Sequence, residues 1–186
     1  DRKRAITGGD DCSVRIWSLD DGKQISILKG HTNKVNAVAF SPDGKQALSG
    51  CFDGTIRLWD LATGNMLFEM AGHTGPVRAV AFSSDGKSAI SGANDKTVRI
   101  WDITSGKEQS SLNGHTDSVL TVAFSPDGTK ALSAGQDTTL ILWDLAGKTI
   151  SKRLNGHSDW VLRVGFSADG QKAISGSLDK TARTWN

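Results

Sequence analysis

Histidine, serine and aspartate, the residue types most able to do chemistry together, recur four times at constant spacing. In each set a Ser follows the His by 18 residues and an Asp follows the Ser by four. The four sets are His31, Ser49 and Asp53; His73, Ser91 and Asp95; His115, Ser133 and Asp137; and His157, Ser175 and Asp179. A hydroxyl activated by an imidazole that a carboxylate orients is the machinery of nucleophilic catalysis. Catalysis is therefore the first hypothesis.

The recurrence of the set argues against that hypothesis. A catalytic site is one place with a pocket and an oxyanion hole, whereas this set is repeated along the chain and uses all four histidines. Residues that every unit repeats are more typical of structure. We therefore predict a structural role for these residues, no catalytic residue and no enzymatic activity.

Two other signals repeat with the same period. Gly-His pairs and tryptophans each recur every 42 residues, the pairs beginning at Gly30, Gly72, Gly114 and Gly156 and the tryptophans standing at Trp17, Trp59, Trp101, Trp143 and Trp185. A fixed period of 20 to 50 residues is the signature of a repeat architecture. The elements that position the polar sets must therefore be copies of one unit.

Each unit contains the signals of four short strands. Six-residue apolar runs such as Val35–Phe40 are too short for helices and predict buried strands. An Asp-Gly turn follows each run and predicts a hairpin, because Gly tolerates the positive φ that the turn requires. A short second strand, a third strand ending in Trp and a polar fourth segment complete the unit. Such a sheet cannot bury both faces alone, so neighbouring units must stack.

These units resemble the WD-repeat family, whose Gly-His and Trp-Asp dipeptides recur in units of roughly 40 to 45 residues. The resemblance covers the whole chain. It departs at Ser18 and Asn186, which replace the Asp after Trp, at Ala134 and at Thr184. The resemblance implies an all-β fold, a β-propeller of four-stranded antiparallel blades, and a non-catalytic scaffold for protein–protein interaction.

The resemblance also implies a role for the repeated polar residues. In the family, the His, Ser, Asp and Trp of one unit form a buried hydrogen-bonded tetrad that fastens the blade. Carried over by position, the tetrads add Trp59, Trp101, Trp143 and Trp185 to the four sets above. The first unit keeps Thr7, Asp11 and Trp17.

Composition and charge disfavour other partners. The net charge of +2 offers no basic face for nucleic acid. No apolar run is long enough to span a bilayer, so we expect no membrane contact and a cytoplasmic location. Cys12 and Cys51 stand at non-equivalent positions and are predicted to be free thiols. No Cys/His spacing matches a zinc site and no Gly-rich loop precedes a helix, so we expect no metal and no cofactor.

The period does not divide the chain into whole blades. It predicts one propeller domain with a partial blade over 1–30 that lacks its first strand, repeats over 31–72, 73–114 and 115–156, and a partial blade over 157–186 that lacks its fourth strand. Both partial blades contain second and third strands, so they cannot complete one another, and we expect an incomplete ring. Further copies or the missing blades of its own propeller would complete it. Two alternatives stay open: an engineered or recently amplified propeller that only self-assembles, and a sensor propeller of a larger bacterial signalling protein.

Partners of this family usually meet the loop before the first strand and the turn between the second and third strands. The residues that vary there imply a protein-binding or peptide-binding face, with candidate contacts at Phe52, Arg78, Leu120, Trp160, Leu162 and Leu178. Trp160 lies outside the 42-residue period, and the polar Lys34 and Ser118 at equivalent positions imply that it faces solvent. We predict that Trp160 is the main anchor. Arg78 indicates an alternative, an acidic or phosphorylated peptide, and a Trp that only covers a neighbouring loop is a second alternative.

Overall fold

The computed structural model describes residues 3–186, which form eighteen β-strands in five antiparallel sheets. The first sheet contains β1 (Arg4–Gly8), β2 (Ser13–Ser18) and β3 (Gln24–Lys29). The second contains β4 (Val35–Phe40), β5 (Gln46–Cys51), β6 (Ile56–Asp60) and β7 (Met66–Met70). The third contains β8 (Val77–Phe82), β9 (Ser88–Ala93), β10 (Thr97–Asp102) and β11 (Glu108–Asn113). The fourth contains β12 (Val119–Phe124), β13 (Lys130–Gly135), β14 (Leu140–Asp144) and β15 (Thr149–Leu154), and the fifth contains β16 (Val161–Phe166), β17 (Ala173–Ser177) and β18 (Ala182–Trp185).

Every sheet is a meander in which strands consecutive in the chain are hydrogen-bonded neighbours. The all-β class and the four-stranded antiparallel blades are confirmed, with three strands in the first and last sheets. First strands of successive sheets pack side by side, β4 against β8, β8 against β12 and β12 against β16. Within residues 3–186 the five sheets do not close into a ring. No helix in this part of the chain could span a membrane.

The predicted Asp-Gly hairpins form for local reasons that the first of them illustrates. Gly44 has a φ of 69°, and its N–H donates to the Ser41 carbonyl at 2.9 Å. The Ser41 hydroxyl donates to Asp43 at 2.7 Å and accepts the Gln46 N–H at 2.9 Å. The turn therefore satisfies its own polar groups and sets the register of β4 with β5.

A core of apolar side chains fills each junction between successive sheets. Between the first and second sheets, Val14 and Leu28 pack with Val35, Ala47 and Trp59, all at most 5% exposed. Burying one large side chain of this kind contributes roughly 1.5–3 kcal/mol. The stacking of sheets is therefore what makes each blade stable.

Candidate functional site

The repeated polar residues meet in a buried group in each of the last four sheets. In the third sheet, His73 Nε2 lies 2.7 Å from Ser91 Oγ, and the Trp101 indole N–H donates to the same Ser91 Oγ at 2.8 Å. The equivalent His–Ser distances are 2.6 Å for His31–Ser49, 2.7 Å for His115–Ser133 and 2.7 Å for His157–Ser175. The equivalent Trp–Ser distances are 2.7 Å for Trp59, 2.7 Å for Trp143 and 2.9 Å for Trp185.

In three of these groups the aspartate completes a chain of hydrogen bonds. His73 Nδ1 lies 2.8 Å from an Asp95 oxygen, and the corresponding distance is 2.7 Å for both His115–Asp137 and His157–Asp179. Asp95 also accepts the Thr74 N–H at 3.0 Å, which ties the loop before β8 to the turn after β9. Each polar group joins two loops and two strands of one blade.

Burial decides the protonation of the histidine in the third sheet. Burial lowers the pKa of His73, against the opposing effect of the Asp95 hydrogen bond, so the ring is neutral at neutral pH. Burial tends to raise the pKa of Asp95, but hydrogen bonds from His73 and Thr97 outweigh it, and the net pKa is lowered. The carboxylate can only accept, so His73 Nδ1–H donates to it and the Ser91 hydroxyl donates to His73 Nε2.

This arrangement leaves no free nucleophile. Each of the four serines is 0% exposed, so no substrate can reach its hydroxyl. The same oxygen is held between an indole N–H and an imidazole nitrogen. The hydrogen bonds join the residues that the family resemblance placed in one tetrad, and the fastening role of these residues stays a prediction.

The first sheet holds a reduced version of this group. The Trp17 indole N–H donates to Thr7 Oγ1 at 2.9 Å, and the bond lies at the exposed surface. Asp11 accepts from Ser13 at 2.7 Å and from Arg15 at 2.5 Å instead of from a histidine.

The second sheet differs from the others at its aspartate. Asp53 is exposed and accepts the Thr32 hydroxyl at 2.9 Å and the Thr55 hydroxyl at 2.7 Å. Among the described residues, His31 Nδ1 has no hydrogen-bond partner although it is buried. The Cys51 thiol lies in the same place, and the ligand atoms of His31, Cys51 and Asp53 are all within 4.8 Å of one another. Sequence reasoning missed this cluster, for which the signal is a cysteine two residues before the tetrad aspartate.

The loops predicted to meet partners lie together at one end of each blade. The N–H of the residue before the turn aspartate donates to the carbonyl of the loop residue before the first strand, from Phe52 to Lys34 at 2.8 Å and from Leu178 to Trp160 at 2.9 Å. Asn94 and Gln136 make the same bond to Pro76 and Ser118 at 2.9 Å. The two segments therefore present one continuous surface in each blade.

Four of the six predicted contact residues on this surface are large, exposed hydrophobic residues. Phe52 is 42% exposed, Trp160 43%, Leu162 36% and Leu178 47%. The prediction that the position of Trp160 faces solvent in every unit is wrong at Ser118, which is 7% exposed and whose N–H is held by Asp117. The loop position is therefore not uniformly exposed, and Trp160 stands out among its copies.

The remaining two contact residues, Arg78 and Leu120, stand at a β-bulge at the start of the first strand. In each first strand the register shifts at the second residue, which is Asn36, Arg78, Leu120 or Leu162. A bulge re-aims a side chain at the end of a strand. Arg78 and Leu120 are half-buried and line a groove of about 380 Å³ between the first strands, where Arg163, which the sequence did not single out, also lies.

Arg78 has close partners within the molecule. Its Nε donates to Asn94 Oδ1 at 2.8 Å, and its guanidinium lies 5.8 Å from the centre of the Phe52 ring. A cation over an aromatic face stabilises both side chains. Arg78 and Phe52 therefore form one contact point that spans the second and third blades.

Comparison with known proteins agrees with this architecture. A family model described as "WD domain, G-beta repeat" matches residues 1–18, 22–60, 64–102, 106–144 and 148–186. A stretch of 44 residues is 41% identical to the serine-threonine kinase receptor-associated protein of Dictyostelium discoideum, covering 24% of this chain and 15% of that protein. Ribosome assembly protein 4 of Chaetomium thermophilum is 49% identical over 41 residues, which cover 22% of this chain and 8% of that protein. The small ribosomal subunit protein RACK1y of Oryza sativa subsp. japonica is 49% identical over 39 residues, which cover 21% and 12% respectively. The matched stretches thus span at most 15% of each relative's length.

Proposed function

The chain belongs to the WD-repeat family, and we propose that it is a non-catalytic scaffold that binds a protein or peptide on the loop face of its blades. The observation that carries this proposal is the exposed apolar group of Trp160, Leu162 and Leu178 on the last sheet. A backbone hydrogen bond of 2.9 Å between Leu178 and Trp160 holds two of its members in place. Tryptophan is one of the residue types that are enriched at binding hot spots.

The chemistry of this face favours a macromolecular partner. Aromatic, aliphatic and arginine side chains with few charges are typical of the centre of a protein–protein interface. The three relatives are named for association with a receptor, for ribosome assembly and for a ribosomal subunit, which are all settings of protein assembly. We further propose a cytoplasmic location, because both Cys12 and Cys51 are free thiols and free thiols persist in reducing compartments.

The test is the substitution Trp160→Ser, which copies the residue at Ser118. We expect a melting temperature close to that of the wild type, because Trp160 is 43% exposed, and at least a tenfold loss of affinity for a partner that the wild-type protein retains. The partner is purified and the dissociation constant is measured by calorimetry. Leu19→Ala, at a residue that is 60% exposed and away from this face, is the control and should bind as the wild type does. Loss of thermal stability with unchanged affinity would make Trp160 a structural residue.

A second candidate function, assembly into a ring with further blades, rests on Ile174. This residue is 52% exposed on the last sheet, whereas its equivalents Leu48, Ile90 and Leu132 are 0% exposed beneath the next sheet. We propose that additional blades cover it, from a longer chain or from another copy. Light scattering of the wild type and of Ile174→Ser tests whether another copy supplies the blades. A wild-type oligomer that the substitution abolishes supports assembly of copies. A monomeric wild type contradicts it. If the covering blades belong to a longer chain, a sensor propeller of a larger bacterial signalling protein stays an alternative function.

A further inference from the structure

We propose that His31, Cys51 and Asp53 form a zinc-binding site that joins the loop before β4 to the turn after β5. The proposal does not depend on the interaction face. Imidazole nitrogen, thiolate sulfur and carboxylate oxygen are the ligand types that Zn²⁺ binds in proteins. Their ligand atoms lie within 4.8 Å of one another.

The first argument is the unpartnered nitrogen of His31. His31 is 7% exposed, and its Nδ1 has no hydrogen-bond partner among the described residues. A buried polar atom without a partner is rare in a folded protein, because it gives up its hydrogen bonds to water and gains none in return. The other three tetrad histidines place this nitrogen 2.7–2.8 Å from their aspartates. His31 therefore has an unused lone pair or proton at Nδ1, where the other blades have a hydrogen bond to an aspartate.

The second argument is that, among the described blades, only this one has a cysteine together with an exposed tetrad aspartate. Cys51 stands where the other units have Ala93, Gly135 and Ser177. Asp53 is exposed, whereas the side chains of Asp95, Asp137 and Asp179 are 4–7% exposed. Cys51 is itself 0% exposed, so the exposed carboxylate provides the route by which an ion enters from solvent.

The geometry requires only a small contraction. Metal–ligand bonds of about 2.0–2.3 Å at tetrahedral angles place ligand atoms about 3.5 Å apart. From separations of at most 4.8 Å, the three atoms would therefore close by up to about 1.3 Å, and rotation of the exposed Asp53 side chain can supply the part that involves its carboxylate. A water molecule would take the fourth position, on the solvent side of Asp53.

The surroundings are compatible with a cation. With the metal on Nδ1, the His31 proton sits on Nε2 and donates to Ser49 Oγ, now 2.6 Å away. Ser49 Oγ has a second lone pair for the Trp59 indole N–H at 2.7 Å, and its own hydroxyl proton must then turn from His31 Nε2 to another acceptor. The positive group that faces His31, Arg57, is paired with Glu69 at 2.7 Å. Binding converts the Cys51 thiol to a thiolate and releases its proton to the buffer.

The experiment uses the untagged, reduced protein titrated with Co²⁺, which reports thiolate coordination by a charge-transfer absorption in the near ultraviolet. We expect the absorption to saturate at one equivalent and to disappear when Zn²⁺ is added. Cys51→Ala should abolish it, and Asp53→Asn should weaken Co²⁺ binding at least tenfold. Cys12→Ala, at the other free thiol, is the matched control and should keep the full signal.

We expect the Cys51 variants to fold, because their new residues already occur at the equivalent position of other blades. Alanine occupies the position of Cys51 at Ala93, and serine occupies it at Ser177, so Cys51→Ala and Cys51→Ser copy residues that blades already contain. Zn²⁺ should raise the melting temperature of the wild type and leave that of Cys51→Ser unchanged. No cobalt–thiolate absorption in the wild type, an unchanged absorption in Cys51→Ala or its loss in Cys12→Ala would each overturn the proposal.

Discussion

Replacing one tetrad serine by alanine tests whether the buried polar groups hold the blades together. In Ser91→Ala, the Trp101 indole N–H loses its acceptor at 2.8 Å and His73 Nε2 loses its partner at 2.7 Å. Ser91 is 0% exposed and Trp101 is 1% exposed, so water does not replace the hydroxyl. Alanine is smaller than serine and adds no steric clash.

The magnitude follows from counting the groups left without partners. One buried donor and one buried acceptor cost about 1–3 kcal/mol each, and because they share one site we expect a combined loss of about 2–4 kcal/mol. The control is Thr7→Val in the first sheet. There the Trp17–Thr7 bond of 2.9 Å is exposed, water can take its place, and we expect a loss of about 0.5 kcal/mol.

The free energy of unfolding of both variants is measured in urea. Tryptophan fluorescence and circular dichroism monitor the transition together, so that the loss of one blade is distinguished from global unfolding. The reasoning is refuted if Ser91→Ala and Thr7→Val lose the same stability. It is also refuted if Ser91→Ala loses less than about 0.5 kcal/mol, since the two buried partners would then not depend on the hydroxyl.

Two further predictions concern backbone strain and pH. Thr138, a β-branched residue, has a φ of 64° at the position where Gly54 has 89°. We therefore expect Thr138→Gly to raise the free energy of unfolding in urea by about 1 kcal/mol, more than Lys96→Gly does. A loss of stability in Thr138→Gly would contradict this. Burial lowers the pKa of His73. Between pH 7 and pH 5 this histidine therefore gains a proton in the unfolded chain and not in the folded chain, so the midpoint of urea unfolding should fall as the pH falls. A midpoint that rises over this interval would show that the folded ring takes up the proton instead.

The fold was predictable because every unit repeats the same local signals. The run Val35–Phe40 and its Asp-Gly turn predicted β4 and its hairpin with β5, and these bounds are the ones the structure shows. Local turn chemistry and apolar periodicity act over a few residues, and four aligned copies remove the ambiguity of a single strand. The all-β propeller class followed from the resemblance to the WD-repeat family, and the incomplete ring from that resemblance together with the 42-residue period.

The details of the site depend on interactions that the repeat conceals. The spacing of His31, Ser49 and Asp53 is identical to that of the other sets, yet Asp53 is bound to Thr32 and Thr55 instead of His31. No periodic pattern records this difference, because the residue types and their spacing are the same in all four sets. The bulge that re-aims Arg78 was hidden in the same way, because an extra residue in one strand leaves the apolar run unbroken.

The proposed partner-binding face and the proposed zinc site both include the turn after β5 in the second sheet. In the third sheet, Asp95 anchors the turn after β9 to a buried histidine, so the residue before it, Asn94, is held from both sides. In the second sheet Asp53 makes no such bond, and Phe52, which contacts Arg78, lies between Cys51 and Asp53. The loop and the turn are already joined by the Thr32–Asp53 bond of 2.9 Å and the Phe52–Lys34 bond of 2.8 Å, and an ion bound by His31, Cys51 and Asp53 would add the link to the buried histidine. It would thereby hold the backbone that presents Phe52 to a partner at a further point, in the one tetrad whose aspartate does not bind its histidine.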